Sequence, residues 1–198
     1  MPYFYAAAAC VFLTGMTLQG MLGVAAAHMK DVGLDAQYIA SVVSVHALTL
    51  SVFKMLTGVM YDRMGLGKTL TICNTAAVSS IVFLTLVMPS GIGKFFAMAY
   101  AVLSSLGVPL ETIMIPLITA DLFGECSYER MLGIFVAINV SGYALGVPLT
   151  NLSYDYLGSY TYALVALSAV MLAVTLSYAF ILKAAGKKRK QIEREGIE

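Results

Sequence analysis

The amino-acid sequence predicts an all-α membrane protein whose six transmembrane helices form two inverted three-helix repeats. The composition indicates a membrane protein, because 60% of the 198 residues are hydrophobic and only 12% are charged. In a soluble domain, about 25% of the residues are charged. A soluble core of this size cannot bury so much apolar surface. Composition therefore excludes a soluble enzyme, a nucleic-acid-binding domain and a disordered chain, and it favours a chain that crosses a bilayer several times.

The placement of the charges gives the number of helices. Six apolar stretches each reach the roughly 20 residues that a membrane-crossing helix requires, and only Lys54 and Glu111 carry a formal charge within them. These predicted spans are 3–27, 37–60, 69–88, 95–120, 131–153 and 160–182. They form one transmembrane domain, 1–183, which is followed by a basic tail, 184–198.

Lys and Arg residues are distributed unevenly between the two sides of the predicted bundle. One side, with segments 61–68, 121–130 and 183–198, holds nine of them, and the other side holds Lys30 and Lys94. Because Lys and Arg accumulate on the cytoplasmic side, we expect a multi-pass plasma-membrane protein with both termini in the cytoplasm. The basic run 187–190 has two interpretations, a segment that binds anionic lipid or a stop-transfer flank.

A short pattern, Tyr-Asp-x-x-Gly, follows the second predicted span and recurs after the fifth. The first copy runs from Tyr61 to Gly65 and the second from Tyr154 to Gly158. Three spans reverse the direction of a chain, so two units of this kind enter the membrane from opposite sides, as in inverted-repeat transporters. The Asp can accept hydrogen bonds at a helix end, and the Gly permits a sharp turn back into the membrane.

The first copy belongs to a longer motif that resembles the loop between the second and third helices in each half of a major facilitator superfamily transporter. The motif residues are Gly58, Asp62, Arg63, Gly65, Gly67 and Lys68. Segment 120–124, with Gly133, Gly142, Gly146, Pro148 and the second Tyr-Asp-x-x-Gly copy, is similar to the last two helices of that superfamily. Among its branches, the chain most resembles the monocarboxylate transporters and oxalate–formate antiporters.

The resemblance covers nearly the whole chain, as the C-terminal six-helix half of a twelve-helix transporter. It implies secondary active transport of small metabolites, such as monocarboxylates and other organic anions, by alternating access. Gly58, Asp62, Arg63, Gly65 and Lys68 would then form the gating loop. The implied partners are an anionic small molecule, the lipid bilayer, and an N-terminal six-helix half or a second copy. The start of the sequence, with no basic loop before the first span, is what a chain cut from a longer one would show.

Lys54 and Glu111 are the first candidates for chemistry inside the membrane. They lie eight and ten residues before Asp62 and Asp121, about 12 and 15 Å along helices that run in the same direction. Opposite charges at a similar depth predict either an ion pair or a shared water-filled cavity, because ionisable residues in spans are expensive and usually functional. The alternatives are a Lys54 that snorkels to the interface and a neutral, hydrogen-bonded Glu111.

Polar side chains on the fifth span complete the candidate substrate-binding set of Lys54, Glu111, Asn139 and Tyr143. The stripe that holds Asn139 and Tyr143 has two interpretations, cavity lining or packing between helices, and close packing is favoured for Gly142-x-x-x-Gly146. The family resemblance supports Lys54, because the related branch carries a substrate-binding Arg at the corresponding place, four residues before the first Gly of the loop motif. Lys lacks the bidentate fork of Arg.

Other classes of function are less well supported. Both histidines lie in the first two spans, and no Gly-x-Ser-x-Gly pattern occurs, which disfavours an intramembrane serine protease. We expect His28 to be interfacial and His46 to be a packed polar residue. Three cysteines without paired spacing indicate no metal site, and nothing in the sequence indicates a cofactor. The alternative to a transporter is a truncated, non-transporting fragment or a membrane interaction module.

Overall fold

The computed structural model describes residues 2–124 and 127–195, and these are helical apart from short connections. The helices are α1 (Pro2–Asp31), α2 (Ala36–Thr85), α3 (Gly91–Gly107), α4 (Pro109–Thr112), α5 (Met114–Phe123), α6 (Tyr128–Leu157) and α7 (Thr161–Glu195). Among the described residues, five stretches are long and apolar enough to cross a bilayer: Phe4–Asp31, Ala36–Thr85, Gly91–Thr112, Tyr128–Leu157 and Thr161–Ile181. The fold is therefore all-helical, and its apolar helices are those of a multi-pass membrane protein.

Helix α2 is too long for one crossing, and it is interrupted at Gly65. Its 50 residues would extend about 75 Å as a straight helix, more than twice the roughly 30 Å hydrocarbon core of a bilayer. Gly65 has φ 77° and ψ 170°, a conformation that is essentially restricted to glycine. Two helical segments, 36–64 and 66–85, therefore meet across a kink where two predicted spans adjoin.

Contacts with α3 show that the two segments of α2 run in opposite directions. In the first segment, later residues contact later residues of α3, so these two helices are parallel. In the second segment, later residues contact earlier residues of α3, so these two helices are antiparallel. The contacting pairs are Tyr38–Lys94 and His46–Ser104 for the first segment, and Phe83–Phe96 and Ala77–Gly107 for the second. The chain thus reverses at Gly65, and α2 supplies two antiparallel helices to the bundle.

Helices α1 and α6 approach so closely that glycine is required at their contact. A Cβ atom at Gly142 would meet the backbone of Phe12 and Met16, and one at Gly146 would meet the backbone of Met16 and Gly20. Such small-residue contacts are typical of membrane helices that pack without water between them. The packing interpretation of Gly142-x-x-x-Gly146 is confirmed.

The fourth predicted span, 95–120, is a helix with two short breaks in its regular hydrogen bonding, at which the backbone keeps right-handed helical dihedral angles. It consists of α3, the short α4 and α5, with breaks at Val108 and Ile113. Pro109 and Pro116 lack a backbone N–H, and their rings clash with the preceding helical turn. The N–H of Glu111 donates to the carbonyl of Val108 at 3.0 Å, a tighter turn than that of an α-helix. The prolines thus interrupt the helix on both sides of Glu111.

The ends of the helices depart little from the sequence prediction. Gly65 and Gly158, which close the two Tyr-Asp-x-x-Gly copies, have φ values of 77° and 67°, so their predicted role in turning the chain is confirmed. Helix α7 extends to Glu195, and much of the predicted tail, 184–198, is therefore a continuation of the last helix.

The largest buried side chains, which mark the core, include Leu18, Met21, Leu70, Ile81, Leu84, Met114, Leu164 and Met171.

Candidate functional site

The carboxyl group of Glu111 lies inside the bundle, at the break in the fourth span. Only 6% of the residue is exposed. The side-chain amide of Gln19, on α1, donates a hydrogen bond of 3.0 Å to Oε2, while Oε1 has no hydrogen-bond partner in the described part of the chain. A buried carboxyl with one unpaired oxygen is costly to retain for stability alone, and such residues within a membrane usually serve a function.

Two polar side chains of α6 lie next to the hydrogen-bonded pair of Gln19 and Glu111. The hydroxyl of Tyr143 faces the carboxyl of Glu111, and the side-chain amide of Asn139 donates to that hydroxyl at 2.8 Å. Asn139 is only 3% exposed, and its Oδ1 also has no hydrogen-bond partner among the described residues. Helices α1, α4 and α6 thus bring Gln19, Glu111, Tyr143 and Asn139 together in one polar network.

Lys54 does not join this network directly. It lies on the first segment of α2 and is half-buried. In the described part of the chain, the Glu111 carboxyl contacts Gln19 and Tyr143 and forms no ion pair with Lys54. The ion pair, one of the two alternatives that the sequence left open, is therefore not formed. Two residues at a similar depth can have side chains that point in different directions. A shared cavity remains the other expectation.

The residues of the loop motif lie at one end of the bundle, around the kink of α2. Asp62, Arg63, Gly65 and Lys68 are exposed, and Gly58 is half-buried. A Cβ atom at Gly58 would meet nothing within 4 Å. No contact within the described chain therefore requires glycine at this position, in contrast to the glycines of the α1–α6 contact.

The two histidines are both packed between helices. His46 Nδ1 lies 2.8 Å from the Ser104 hydroxyl oxygen and 3.2 Å from the carbonyl oxygen of Ala101, as expected of a packed polar residue. His28 was expected at the interface, but it is only 1% exposed, and its Nε2 lies 3.1 Å from the carbonyl oxygen of Leu84. The end of α2 therefore covers this side chain, and its position at the membrane interface stays a prediction.

Gln19 is the site residue that the sequence prediction did not include. The signal was an amide side chain inside an otherwise apolar span, where an unpaired polar group is expensive and a partner on another helix is to be expected. No group of three or more His, Cys, Asp or Glu side chains that could hold a metal ion occurs among the described residues.

Comparison with known families agrees with this geometry. The family model of the Major Facilitator Superfamily matches residues 7–198, a range that includes all of the candidate site and all but the start of the first helix. No curated protein matches the chain. The chain belongs to the major facilitator superfamily, whose members are multi-pass membrane transporters of small molecules and not enzymes.

Proposed function

We propose that this chain forms one six-helix half of a secondary active transporter for small organic anions, monocarboxylates in particular, and that it works by alternating access. The buried carboxyl of Glu111 at the break in the fourth span carries the proposal. In transporters, hydrophobic segments that are interrupted by Gly or Pro commonly mark substrate and coupling-ion sites near the middle of the membrane. The unpaired oxygens of Glu111 and Asn139 give this break the polar groups that such a site uses.

Lys54 is the proposed anion-binding residue. It is half-buried within a predicted span, where an ammonium group is expensive unless it is paired, and Glu111 does not pair with it. A carboxylate substrate would supply the missing opposite charge. A single cation matches a monocarboxylate better than a dianion, because the fifth predicted span contains no Lys or Arg to hold a second charge.

Glu111 is the proposed proton-linked residue, with Asn139 and Tyr143 as neighbours that position it and line the path to the substrate. The two side chains that its carboxyl faces, those of Gln19 and Tyr143, are both uncharged. A carboxyl group in such surroundings is favoured in its neutral form until a cation or water reaches it. Loss and gain of a proton at Glu111 would therefore accompany opening of the site.

The arrangement of the helices supports the two inverted repeats. If the two predicted three-helix units were superposed on each other, α1 would correspond to α3, and α6 would correspond to the first segment of α2. The contact between α1 and α6 would then correspond to the contact between α3 and the first segment of α2. Both contacts join helices that run in the same direction, as the exchange requires. The pairs that give the directions are Gly20–Gly146 and Asp31–Tyr154 in one contact, and Tyr38–Lys94 and His46–Ser104 in the other.

An opposing six-helix half, or a second copy of this chain, would complete the transporter. The open space beside Gly58 and the exposed loop residues Asp62, Arg63 and Lys68 suit a surface that meets another unit. We place this loop and both termini in the cytoplasm of a plasma-membrane protein, because the basic residues accumulate on that side.

Binding of defined anions to the purified chain tests this proposal. Thermal unfolding in lipid nanodiscs would be followed with formate, lactate, oxalate and an uncharged amide analogue. We expect the monocarboxylates to raise the unfolding free energy, by about 2.7 kcal/mol at a hundredfold excess over Kd.

Lys54→Gln should abolish this gain in unfolding free energy, and Lys54→Arg should retain it in part. Lys30→Gln, at an exposed position outside the network, is the matched control. Equal stabilisation of the wild type and Lys54→Gln would contradict the assignment.

A further inference from the structure

A groove of about 490 Å³ lies between α1 and α7. Small side chains form much of its wall, namely Ala6 and Ala9 on α1 and Ala173 and Ser177 on α7. Its floor includes Cys10, Val174 and Ile181, which are buried. The groove volume falls in the range of roughly 300–1,000 Å³ that is typical of small-molecule sites.

The groove offers an almost wholly apolar surface. Its one hydroxyl group, that of Ser177, donates to the carbonyl of Ala173 at 2.8 Å within the same helix. Leu176 and Phe180 stand at its rim and are 64% and 76% exposed. A ligand that fills this groove must therefore be a hydrocarbon chain rather than a polar metabolite.

The length of the groove matches one leaflet of a bilayer. Its lining extends from Ala6 to Leu13 on α1 and from Ala173 to Ile181 on α7, or about 10–12 Å of helix. One leaflet contributes about half of a roughly 30 Å hydrocarbon core. Both lining segments lie at the end of the bundle where α1 begins and where α7 leads into the tail, so the groove belongs to the leaflet on the tail side.

Basic residues follow directly where the groove ends. Helix α7 continues beyond Ile181 to Glu195, and half of the chain's 12 Lys and Arg residues lie in 183–198. Lys183 and Lys187 are two and six residues beyond Ile181, or about 3 and 9 Å along the helix. Clusters of this kind next to a membrane helix attract anionic headgroups.

We propose that this groove holds an acyl chain of an acidic phospholipid whose headgroup lies against the basic segment 183–190. The site is separate from the proposed transport site and does not depend on it. A packed helix is the other occupant that small residues can favour. The lipid fits better because the groove is only about two helical turns long, whereas the contact between α1 and α6 extends from Phe4 to Asp31.

The chain contains no Trp, so a single introduced Trp gives an unambiguous optical probe. Leu176→Trp places the probe at the rim of the groove, and Val136→Trp places it on α6 at an exposed position of similar depth. Each variant would be reconstituted into phosphatidylcholine vesicles that contain a minor, equal fraction of brominated phosphatidylglycerol or brominated phosphatidylcholine. Quenching of Trp fluorescence then reports which lipid lies beside each position.

We expect brominated phosphatidylglycerol to quench Leu176→Trp more strongly than brominated phosphatidylcholine does, and the two lipids to quench Val136→Trp equally. Replacing Lys187 by Gln in the Leu176→Trp chain should lower the preference for phosphatidylglycerol about fivefold. Ala9→Phe, which fills the groove, should remove it. Equal quenching of Leu176→Trp by both lipids would overturn the proposal. Protection of Leu176→Trp from both lipids would also overturn it, in favour of a protein occupant.

Discussion

The side chains of Gln19 and Glu111 are joined by a hydrogen bond of 3.0 Å, although 92 positions separate the two residues in sequence. The amide on α1 thereby satisfies one oxygen of the carboxyl at the break in the fourth span. An amide and a carboxyl buried without partners would each destabilise the fold by about 1–3 kcal/mol. The pair therefore ties α1 to α4, while the second oxygen of Glu111 is left for chemistry.

Glu111→Gln should separate proton coupling from anion binding. Gln has nearly the same shape as Glu but cannot gain or lose a proton at neutral pH, so it keeps the packing and removes the proposed coupling step. We expect uptake of a labelled monocarboxylate that is driven by a pH gradient to be lost, and exchange between equal pools of the anion to continue. Both rates would be measured in the same vesicles, which hold the chain together with its opposing unit.

Glu129→Gln is the control for that experiment, because Glu129 is an exposed acidic residue at the start of α6. It should keep both the driven and the exchange rates. If Glu111→Gln retained uptake driven by the pH gradient, its role in proton coupling would be refuted.

Much of the helix pattern could be predicted from the sequence, because the energetics of the bilayer separate charged from apolar residues. Apolar segments that are at least 20 residues long and contain at most one charge mark helices reliably. The two glycines of the Tyr-Asp-x-x-Gly copies were also predictable, since a turn with positive φ requires glycine. The break beside Glu111 was less evident. Pro109 and Pro116 signalled it, but proline is tolerated in membrane helices when neighbouring groups satisfy the backbone.

The side-chain network could not be predicted to the same extent. Depth along a helix follows from counting residues, but the direction in which a side chain points depends on how helices pack around one another. Lys54 and Glu111 therefore lie at a similar predicted depth without forming an ion pair, and Glu111 instead meets Gln19. That partner is 92 positions away, and no short-range pattern connects the two residues.

Gly65→Ala should destabilise the chain, whereas Gly58→Ala should not. A Cβ atom would meet nothing within 4 Å at either position, so the two sites differ in backbone conformation rather than in space. At Gly65, φ is 77°, and a residue with a side chain in such a conformation costs about 1–3 kcal/mol. At Gly58, within a helix, Ala is favoured by up to about 1 kcal/mol.

Thermal unfolding of both variants in the same detergent measures this difference. Equal unfolding temperatures for Gly65→Ala and Gly58→Ala would show that the kink of α2 does not depend on the conformation of Gly65.

The orientation of the chain can be determined by labelling single cysteines in sealed cells. In a background without Cys10, Cys73 and Cys126, Ser90→Cys lies in the exposed connection between α2 and α3, and Gly186→Cys lies in the basic part of α7. The distribution of Lys and Arg predicts that an impermeant maleimide labels Ser90→Cys from outside and labels Gly186→Cys only after the membrane is opened. The reverse pattern would contradict the predicted topology.

In the proposed transporter, which needs two six-helix units, Lys54 binds a carboxylate. Uptake of labelled lactate into vesicles tests it most directly, with vesicles that hold either a single chain or a cross-linked assembly of the chain with its opposing half or a second copy. Cross-linking counts the chains in each preparation. We expect uptake from the two-unit assembly, and none from single chains or from an assembly that carries Lys54→Gln. Uptake by demonstrated single chains, or undiminished uptake with Lys54→Gln, would contradict the claim.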